Sequence, residues 1–329
     1  MQYRRLGTSN LQVSALCLGT MMFGDQTDAA EAGRIVAQAH AAGVNFIDTA
    51  DVYTHGASES MVGALIQPQR HDWVLATKLG NLMSKRPNEG HYSRVWMLRE
   101  VEHSLRRLQT DHIDILYLHR DFPGMHLEEP LRALDDLVRS GKIRHWGLSN
   151  FRGWSIAEMV HGAARLNMAG PVVCQPYYNL LNRMPEVEIL PACSHHGIGV
   201  VPYSPIARGV LTGKYLPGQA PAAGTRAARG DKRILETEYR KESLEIAQKL
   251  SARCEEKGIQ LSHFALAWVL ANRAVTSVIG GPRTLAQWQD YWGALDVTIT
   301  QEDEDFVNQL VSPGHPSTPG YNDPSYPLT

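Results

Sequence analysis

Four residues with titratable side chains stand at the ends of short apolar segments of the chain. They are Asp48, Tyr53, Lys78 and His119. The first two follow the second apolar segment, the third ends the next segment, and the fourth ends the segment after that. A carboxylate, a phenol, an ammonium and an imidazole can donate and accept protons during catalysis. A lysine amine can also form a Schiff base with a carbonyl substrate, so these residue types leave two chemistries open.

Two of these residues also have an ordinary structural interpretation. Taken singly, Lys78 can be a solvated loop lysine, and His119 can be a buried histidine whose hydrogen bonds are satisfied. Their placement at the ends of consecutive apolar segments favours a shared site instead.

The apolar segments themselves predict strands. Most begin about 28 to 30 residues after the one before, a period that fits one strand plus one helix. The segments are residues 15–18, 44–47, 73–76, 113–118, 144–148, 172–175, 199–203 and 276–279. Stretches with helical spacing of apolar residues lie between them, for example residues 29–41 and 95–108.

Eight alternations of strand and helix predict a parallel sheet that is covered by helices. The strands are continuously apolar, which is typical of strands buried on both faces. We therefore predict an α/β fold, a (β/α)8 TIM barrel, with an open doubly wound sheet as the alternative. The strand ends of such a barrel meet at one rim, so the four titratable residues should converge there.

Several segments depart from the repeat. We expect them to form an N-terminal hairpin at the barrel bottom, two long rim loops, two extra helices and an irregular tail. In that order they are residues 2–6 with 11–13, residues 81–92 and 217–231, residues near 238–256 and 261–271, and residues 313–329. Loops of this length in a compact domain often cover a ligand. We expect one domain over residues 1–329.

Composition excludes several classes of protein. Hydrophobic residues make up 43% of the chain, and 32 basic against 34 acidic residues give a formal net charge of −2. This balance is evidence against a nucleic-acid or anionic-membrane partner. No secretory signal or membrane-spanning run is visible, and the 4 cysteines are far apart, without a CxxC pair. We expect a cytoplasmic protein; the sequence indicates no oligomeric state.

Three segments, in this order and at this spacing, resemble the aldo-keto reductase family. They are DTADVYTHGASE at residues 48–59, GKIRHWGLSN at residues 141–150 and YSPIARGVLTGKY at residues 203–215. The resemblance extends over nearly the whole chain. It implies an NADP-dependent oxidoreductase that transfers hydride between NADPH and an aldehyde or ketone to give an alcohol.

The resemblance also assigns roles to the four titratable residues. Tyr53 would be the general acid that protonates the carbonyl oxygen as it becomes an alkoxide. Lys78 would lower the pKa of that phenol, and Asp48 would hold Lys78 in place. His119 would orient and polarise the carbonyl group.

Further residues are implied as contacts of an NADPH/NADP cofactor. For the nicotinamide and its ribose they are Gly19, Thr20, Met21, Asp48, Ser149, Asn150, Gln175 and Tyr203; for the pyrophosphate, Ser204, Pro205, Ile206, Arg208 and Gly209; for the far phosphates and the adenine, Lys214, Arg226, Gly281, Arg283, Gln287 and Asp290. Tyr203 would stack on the nicotinamide, with strand-end packing as its alternative. NAD would want a carboxylate for its ribose hydroxyl, and residues 280–284 contain none.

This chain departs from the family pattern at the adenine end. Relatives commonly carry a proline where Gly280 stands, and a Glu-Asn pair where Asp290 and Tyr291 stand.

Neither His195 nor His196 has a carboxylate or cysteine partner nearby in the sequence, and we predict no metal site.

We expect a small-molecule carbonyl substrate in a pocket formed by the longer rim loops. The candidates are Met22, Phe23, Trp96, Arg120, Phe122 and parts of residues 313–329.

Two other functions stay open. One is a cofactor-sensing regulatory subunit, like the aldo-keto-reductase-like β subunits of potassium channels. The other is barrel chemistry with Lys78 as a Schiff-base amine.

Overall fold

The structure is a computed structural model, and it describes residues 1–122 and 124–326. Residues 327–329 of the predicted tail lie outside the described residues. Between residues 313 and 326 the tail forms neither helix nor strand, as its proline content predicts.

Within the described residues, ten strands form, and eight of them build one parallel sheet. They are β1 Tyr3–Arg5, β2 Gln12–Ser14, β3 Leu16–Gly19, β4 Phe46–Asp48, β5 Val74–Leu79, β6 Ile113–Leu118, β7 Ile143–Ser149, β8 Val173–Gln175, β9 Gly199–Val200 and β10 Val278–Gly280. The sheet order is β10-β3-β4-β5-β6-β7-β8-β9, with every neighbouring pair parallel.

The chain near the two outermost strands of this order is also hydrogen-bonded. The backbone N–H of Thr276 donates to the carbonyl oxygen of Val200 at 2.8 Å, and that of Ile279 donates to Pro202 at 3.0 Å. The eight predicted strands all overlap strands of this sheet. The arrangement is the predicted α/β fold and is consistent with a (β/α)8 barrel.

The first two strands, β1 and β2, pair antiparallel in a hairpin below the sheet. Leu6 and Val13 are fully buried and belong to the same apolar cluster as Cys17 inside the sheet. The turn between the strands contains Gly7 at a φ of 55°, where a Cβ would lie 2.2 Å from the carbonyl oxygen of Val172. Only glycine permits this close approach, so the turn packs directly against the strand ends.

Helices cover the outer face of the sheet. They are α1 Ala29–Ala41, α2 Ala57–Ile66, α3 Arg94–Leu108, α4 Glu128–Arg139, α5 Gly153–Arg165, α6 Ile189–His196, α7 Lys232–Glu236, α8 Lys241–Glu256, α9 Leu261–Ala271, α10 Leu285–Asp290 and α11 Gln301–Leu310. Ile35 and Met97 on two of them pack with Leu75 of the sheet in a second, larger core. None of the helices in the described ranges combines the length and apolarity that a membrane span requires.

The long stretch before the last parallel strand holds one more helix than the two we predicted. The prediction for residues 261–271 matches α9, and the helix predicted near residues 238–256 is α8, which begins at Lys241. The missed helix, α7, has only five residues, too few for an apolar period to show in the sequence.

Candidate active site

The four titratable residues come together at the carboxyl ends of β4, β5 and β6. Asp48 ends β4, Lys78 lies in β5, and His119 directly follows β6. The Lys78 ammonium donates to Asp48 Oδ1, to the carbonyl oxygen of Thr49 at 2.6 Å and to the Tyr53 hydroxyl at 3.3 Å. Because an ammonium has three protons, Lys78 uses all of them to bind the carboxylate, the backbone and the phenol together.

Burial and pairing act in opposite directions on the protonation of this group. Burial alone would lower the pKa of Lys78, but Asp48 and Tyr53 raise it above the usual lysine range. Burial also raises the pKa of Asp48, and this shift is opposed by Lys78 and by the Gln175 amide, which donates to Asp48 Oδ2 at 2.9 Å. Lys78 is therefore a protonated, hydrogen-bonded cation at neutral pH.

The pKa of Tyr53 differs in direction from the sequence expectation. Burial raises it above the usual tyrosine range, and the opposing effect of Lys78 is smaller. Lys78 does lower the pKa of Tyr53, as expected, but burial raises that pKa by more. Tyr53 is therefore held as a neutral phenol, the form that can donate a proton.

His119 stands beside this group and is held neutral. Its ring centroid lies 6.0 Å from that of Tyr53, in an edge-to-face arrangement. Burial, and then the charges of Lys78 and Arg120, lower the pKa of His119 well below its usual range. Its Nδ1 is buried without a hydrogen-bond partner in the described part of the chain. A neutral imidazole can donate one N–H bond to a carbonyl oxygen.

A strained turn holds Tyr53 in place. Thr54, His55 and Gly56 follow it with φ angles of 48°, 51° and 90°, three consecutive left-handed residues before α2 begins. A Cβ on Gly56 would lie 2.7 Å from Cδ of Arg107. Backbone in this region costs free energy at non-glycine residues, so the surrounding contacts must maintain the turn.

A buried cluster of charges supplies those contacts. Arg107 donates to Glu59 at 2.6 Å and to Glu100 at 2.5 Å, and Thr77 donates to Glu59 at 2.6 Å. Asp51, three residues after Asp48, lies near this cluster. Burial and repulsion by the two glutamates raise its pKa well above the usual range. Thr77 precedes Lys78, so this cluster links the turn after Tyr53 to β5.

A cavity of about 410 Å³ lies above the four residues. All the residues predicted to contact a cofactor line it, and so do Tyr53 and His119, while Lys78 lies behind them. In chain order the predicted contacts are Gly19, Thr20, Met21, Asp48, Ser149, Asn150, Gln175, Tyr203, Ser204, Pro205, Ile206, Arg208, Gly209, Lys214, Arg226, Gly281, Arg283, Gln287 and Asp290. The structure brings them together; their contacts with a cofactor stay a prediction.

At the end next to Tyr53 the polar side chains are joined in a network. The Asn150 amide donates to the Ser149 hydroxyl and to the carbonyl oxygen of His119, both at 3.0 Å, and its Oδ1 accepts from Tyr203 at 2.7 Å. The ring of Tyr203 stacks on Tyr177 with centroids 5.6 Å apart. These bonds fix the side chains expected to hold a nicotinamide.

The opposite end of the cavity gathers positive charge. Lys214, Arg226 and Arg283 all line it, and Asp231 pairs with Arg226 at 3.2 Å. Burial, and then repulsion by Arg283, Arg226 and Arg229, lowers the pKa of Lys214. Because a phosphate would neutralise this repulsion, the end of the cavity fits the phosphates of a dinucleotide.

Arg208 and Asp290, which the resemblance places at the pyrophosphate and the adenine, use their side chains for contacts with distant parts of the protein. The Arg208 guanidinium donates to Glu238 at 2.6 Å and to Thr237 at 3.0 Å. The Asp290 carboxylate accepts from Ser262 at 3.2 Å and is 3.1 Å from His263 Nε2. For both residues the sequence could not reveal these partners, which lie at least 27 residues away.

A protein-family model decides what kind of protein carries this site. The model of the aldo/keto reductase family matches residues 15–311. The chain belongs to this family. Aldo/keto reductases are in general oxidoreductases that use NAD(P)H, and the cations Lys214, Arg226 and Arg283 that line the cavity are compatible with such a phosphate-containing cofactor.

Relatives of this aldo/keto reductase carry two kinds of description. It is 38% identical to the uncharacterized oxidoreductase YrpG of Bacillus subtilis over 322 residues, which cover 94% of this chain and 96% of YrpG. It is 37% identical to a probable voltage-gated potassium channel subunit beta of Arabidopsis thaliana over 302 residues, which cover 90% of this chain and 92% of the Arabidopsis protein. A rice protein of the same description is 36% identical over 328 residues, 98% and 100% of the two chains.

The residues predicted to form the substrate pocket of this aldo/keto reductase lie in different places, and their contacts with a substrate stay a prediction. Met22 lines the cavity, but Phe23 and Trp96 are buried in the protein and do not line it. Arg120 and Phe122 contact each other, with the guanidinium 5.4 Å from the ring centroid. Most of these residues were predicted to form the pocket because they are apolar or aromatic. The same property buries Phe23 and Trp96 in the core.

Asp231, Arg233 and Tyr326 are among the lining residues that were not named as site residues from the sequence. Tyr326 lies in the tail that we expected to contribute to the pocket. The other two lie beside and within α7, in a segment whose only sequence signal was its unusual length.

Proposed function

We propose that this chain is an NADPH-dependent reductase that converts an aldehyde or ketone to an alcohol, with Tyr53 as the general acid. The observation that carries the proposal is the Lys78 ammonium, which binds Asp48 and Tyr53 at the floor of a cavity that ends in cations. A neutral phenol held beside a buried cation is suited to proton donation to a developing alkoxide.

When bound, the nicotinamide supplies hydride at its C4. The residues of the chain perform the remaining steps. The Tyr53 hydroxyl donates its proton to the carbonyl oxygen, and Lys78 stabilises the phenolate that results. The neutral His119 donates an N–H bond that orients the carbonyl. Asp48 keeps Lys78 charged and in place. Reprotonation of Tyr53 completes the cycle, and the same steps reversed would oxidise an alcohol.

The cation-rich end of the cavity supports NADPH rather than NADH. Lys214, Arg226 and Arg283 lie there, and residues 280–284 provide no carboxylate for a free ribose hydroxyl. Cations favour a 2′-phosphate, because charge-assisted hydrogen bonds to phosphate are stronger than neutral ones.

A second candidate is a cofactor-sensing subunit of a potassium channel, in which turnover is secondary. The 37% identity to a probable channel subunit beta favours it. The third chemistry, a Schiff base at Lys78, is disfavoured because a lysine must lose its proton to act as a nucleophile. Asp48 and Tyr53 raise its pKa instead.

The test is oxidation of NADPH or NADH by the purified protein with a panel of aldehydes and ketones, followed by absorbance. We expect turnover with NADPH, and a decrease of about 10²- to 10⁴-fold in Tyr53→Phe. Tyr3→Phe, at an exposed tyrosine in β1, is the matched control and should keep full activity. Tight NADPH binding without turnover would favour the sensing subunit, and absence of NADPH binding would refute both.

A further inference from the structure

The C-terminal tail packs along α7 and the start of α8. The hydroxyl groups of Ser317 and Ser243 are 2.8 Å apart, and Arg240 donates to Thr318 at 2.8 Å. The guanidinium of Arg240 also lies 3.5 Å from the ring centroid of Tyr321. The tail is thus bound over several residues before it reaches the cavity.

One ion pair fixes the last described turn of this tail. Arg233 in α7 donates to both carboxylate oxygens of Asp323, at 3.0 and 2.6 Å, and to the Ser325 hydroxyl at 2.7 Å. Asp323 in turn accepts from the backbone N–H of Ser325 at 2.9 Å, and its carbonyl oxygen accepts from that of Tyr326 at 2.9 Å. A bidentate guanidinium–carboxylate pair fixes orientation as well as distance.

This turn places the ring of Tyr326 in the cavity that also contains Tyr53. Arg120, the residue after His119, also contacts this turn and the ring. Its guanidinium lies 5.0 Å from the Tyr326 ring centroid and donates to the carbonyl oxygen of Ser325 at 2.7 Å. Arg120 at the catalytic rim therefore contacts the ring itself, and Arg233 in α7 binds the turn that carries it.

We propose that Arg233 and Asp323 are positioning residues that hold Tyr326 as a wall of the substrate end of the cavity. The proposal rests on the proposed reductase function, because a wall at this place contacts whatever carbonyl compound approaches Tyr53. Asp231 caps α7 and pairs with Arg226, so the same short helix connects the cation-rich end of the cavity to this wall.

A double-mutant cycle between Asp323 and Tyr326 tests the proposal. We expect Asp323→Asn to raise KM for an aromatic aldehyde about tenfold, with kcat changed less than about twofold and NADPH affinity kept. Tyr326→Ala should do the same. The double variant should be no worse than either single variant, because Asp323 acts through Tyr326. Glu128→Gln removes a carboxylate from an exposed ion pair with Arg132 and is the matched control.

Hydrogen exchange provides a readout that does not depend on turnover. The backbone N–H groups of Ser325 and Tyr326 should exchange faster in Asp323→Asn and in Arg233→Met than in the natural protein. Unchanged exchange, an unchanged KM, or additive effects in the double variant would each overturn the positioning role. Absence of turnover in the natural protein would refute the reductase function, and exchange would still decide whether the ion pair holds Tyr326.

Discussion

His119 is buried beside two cations, and this placement decides its protonation state. Because burial, Lys78 and Arg120 all lower its pKa, the imidazole should stay neutral from about pH 6 to about pH 8. The raised pKa of Tyr53 keeps the acid protonated over the same range. We therefore predict that kcat/KM for reduction is flat across it, and declines only as the pH rises through the pKa of Tyr53. Initial rates at saturating NADPH measure this profile.

His119→Gln is the control for this prediction, because glutamine keeps an N–H donor but does not titrate. We expect kcat/KM to be about tenfold lower with a profile of the same shape. An acidic limb near about pH 6.5 in the natural protein that is missing in the glutamine variant would show that His119 takes up a proton there.

The turn after Tyr53 is the element whose backbone matters most for the site. In Gly56→Ala the new Cβ would meet Arg107 at 2.7 Å, at a φ of 90°. We predict a loss of more than about 1–2 kcal/mol in the free energy of unfolding, because a clash adds to left-handed strain. Turnover should also decrease by about tenfold or more, because the displaced turn moves Tyr53. Urea unfolding and kcat measure the two effects.

The variant Gly258→Ala separates the cost of left-handed backbone strain from the effect of displacing Tyr53. Gly258 follows α8 with a φ of 65°, and a Cβ there would have no neighbour within 4 Å among the described residues. We expect a similar cost from left-handed strain, about 1–2 kcal/mol, with turnover unchanged. Equal losses of activity in the two variants would mean that the turn does not position Tyr53.

Elements with a strong local pattern could be predicted, and those that depend on distant partners could not. The apolar spacing of α9 gives both of its ends, but α7 is short and is held by the Asp231 cap and by Asp323, 90 residues from Arg233. Burial likewise reverses the expected net pKa direction of Tyr53, although its place beside Lys78 was predicted. The sequence thus predicts that Tyr53 and Lys78 meet, but the burial that sets the pKa of Tyr53 follows only from the packed fold.

At the scale of the whole molecule, a nearly neutral net charge coexists with a local cluster of positive charge. The chain has a formal net charge of −2, but Lys214 and Arg226 from one rim segment and Arg283 from a distant one meet at one end of the cavity. Their mutual repulsion is one cause of the lowered pKa of Lys214. The fold thus brings together a cluster of positive charge that the composition does not indicate.

We predict that Arg283→Gln weakens NADPH binding by about tenfold or more and leaves NADH binding within about twofold, because only NADPH has the 2′-phosphate. Titration of protein fluorescence with each cofactor gives the two dissociation constants. Added salt should weaken NADPH binding more than NADH binding, because screening acts on the extra charge. Arg139→Gln, in an exposed ion pair with Asp135 on α4, should change neither constant. Equal losses for both cofactors would place Arg283 on a group that they share, and the selectivity would then have to come from Lys214 or Arg226.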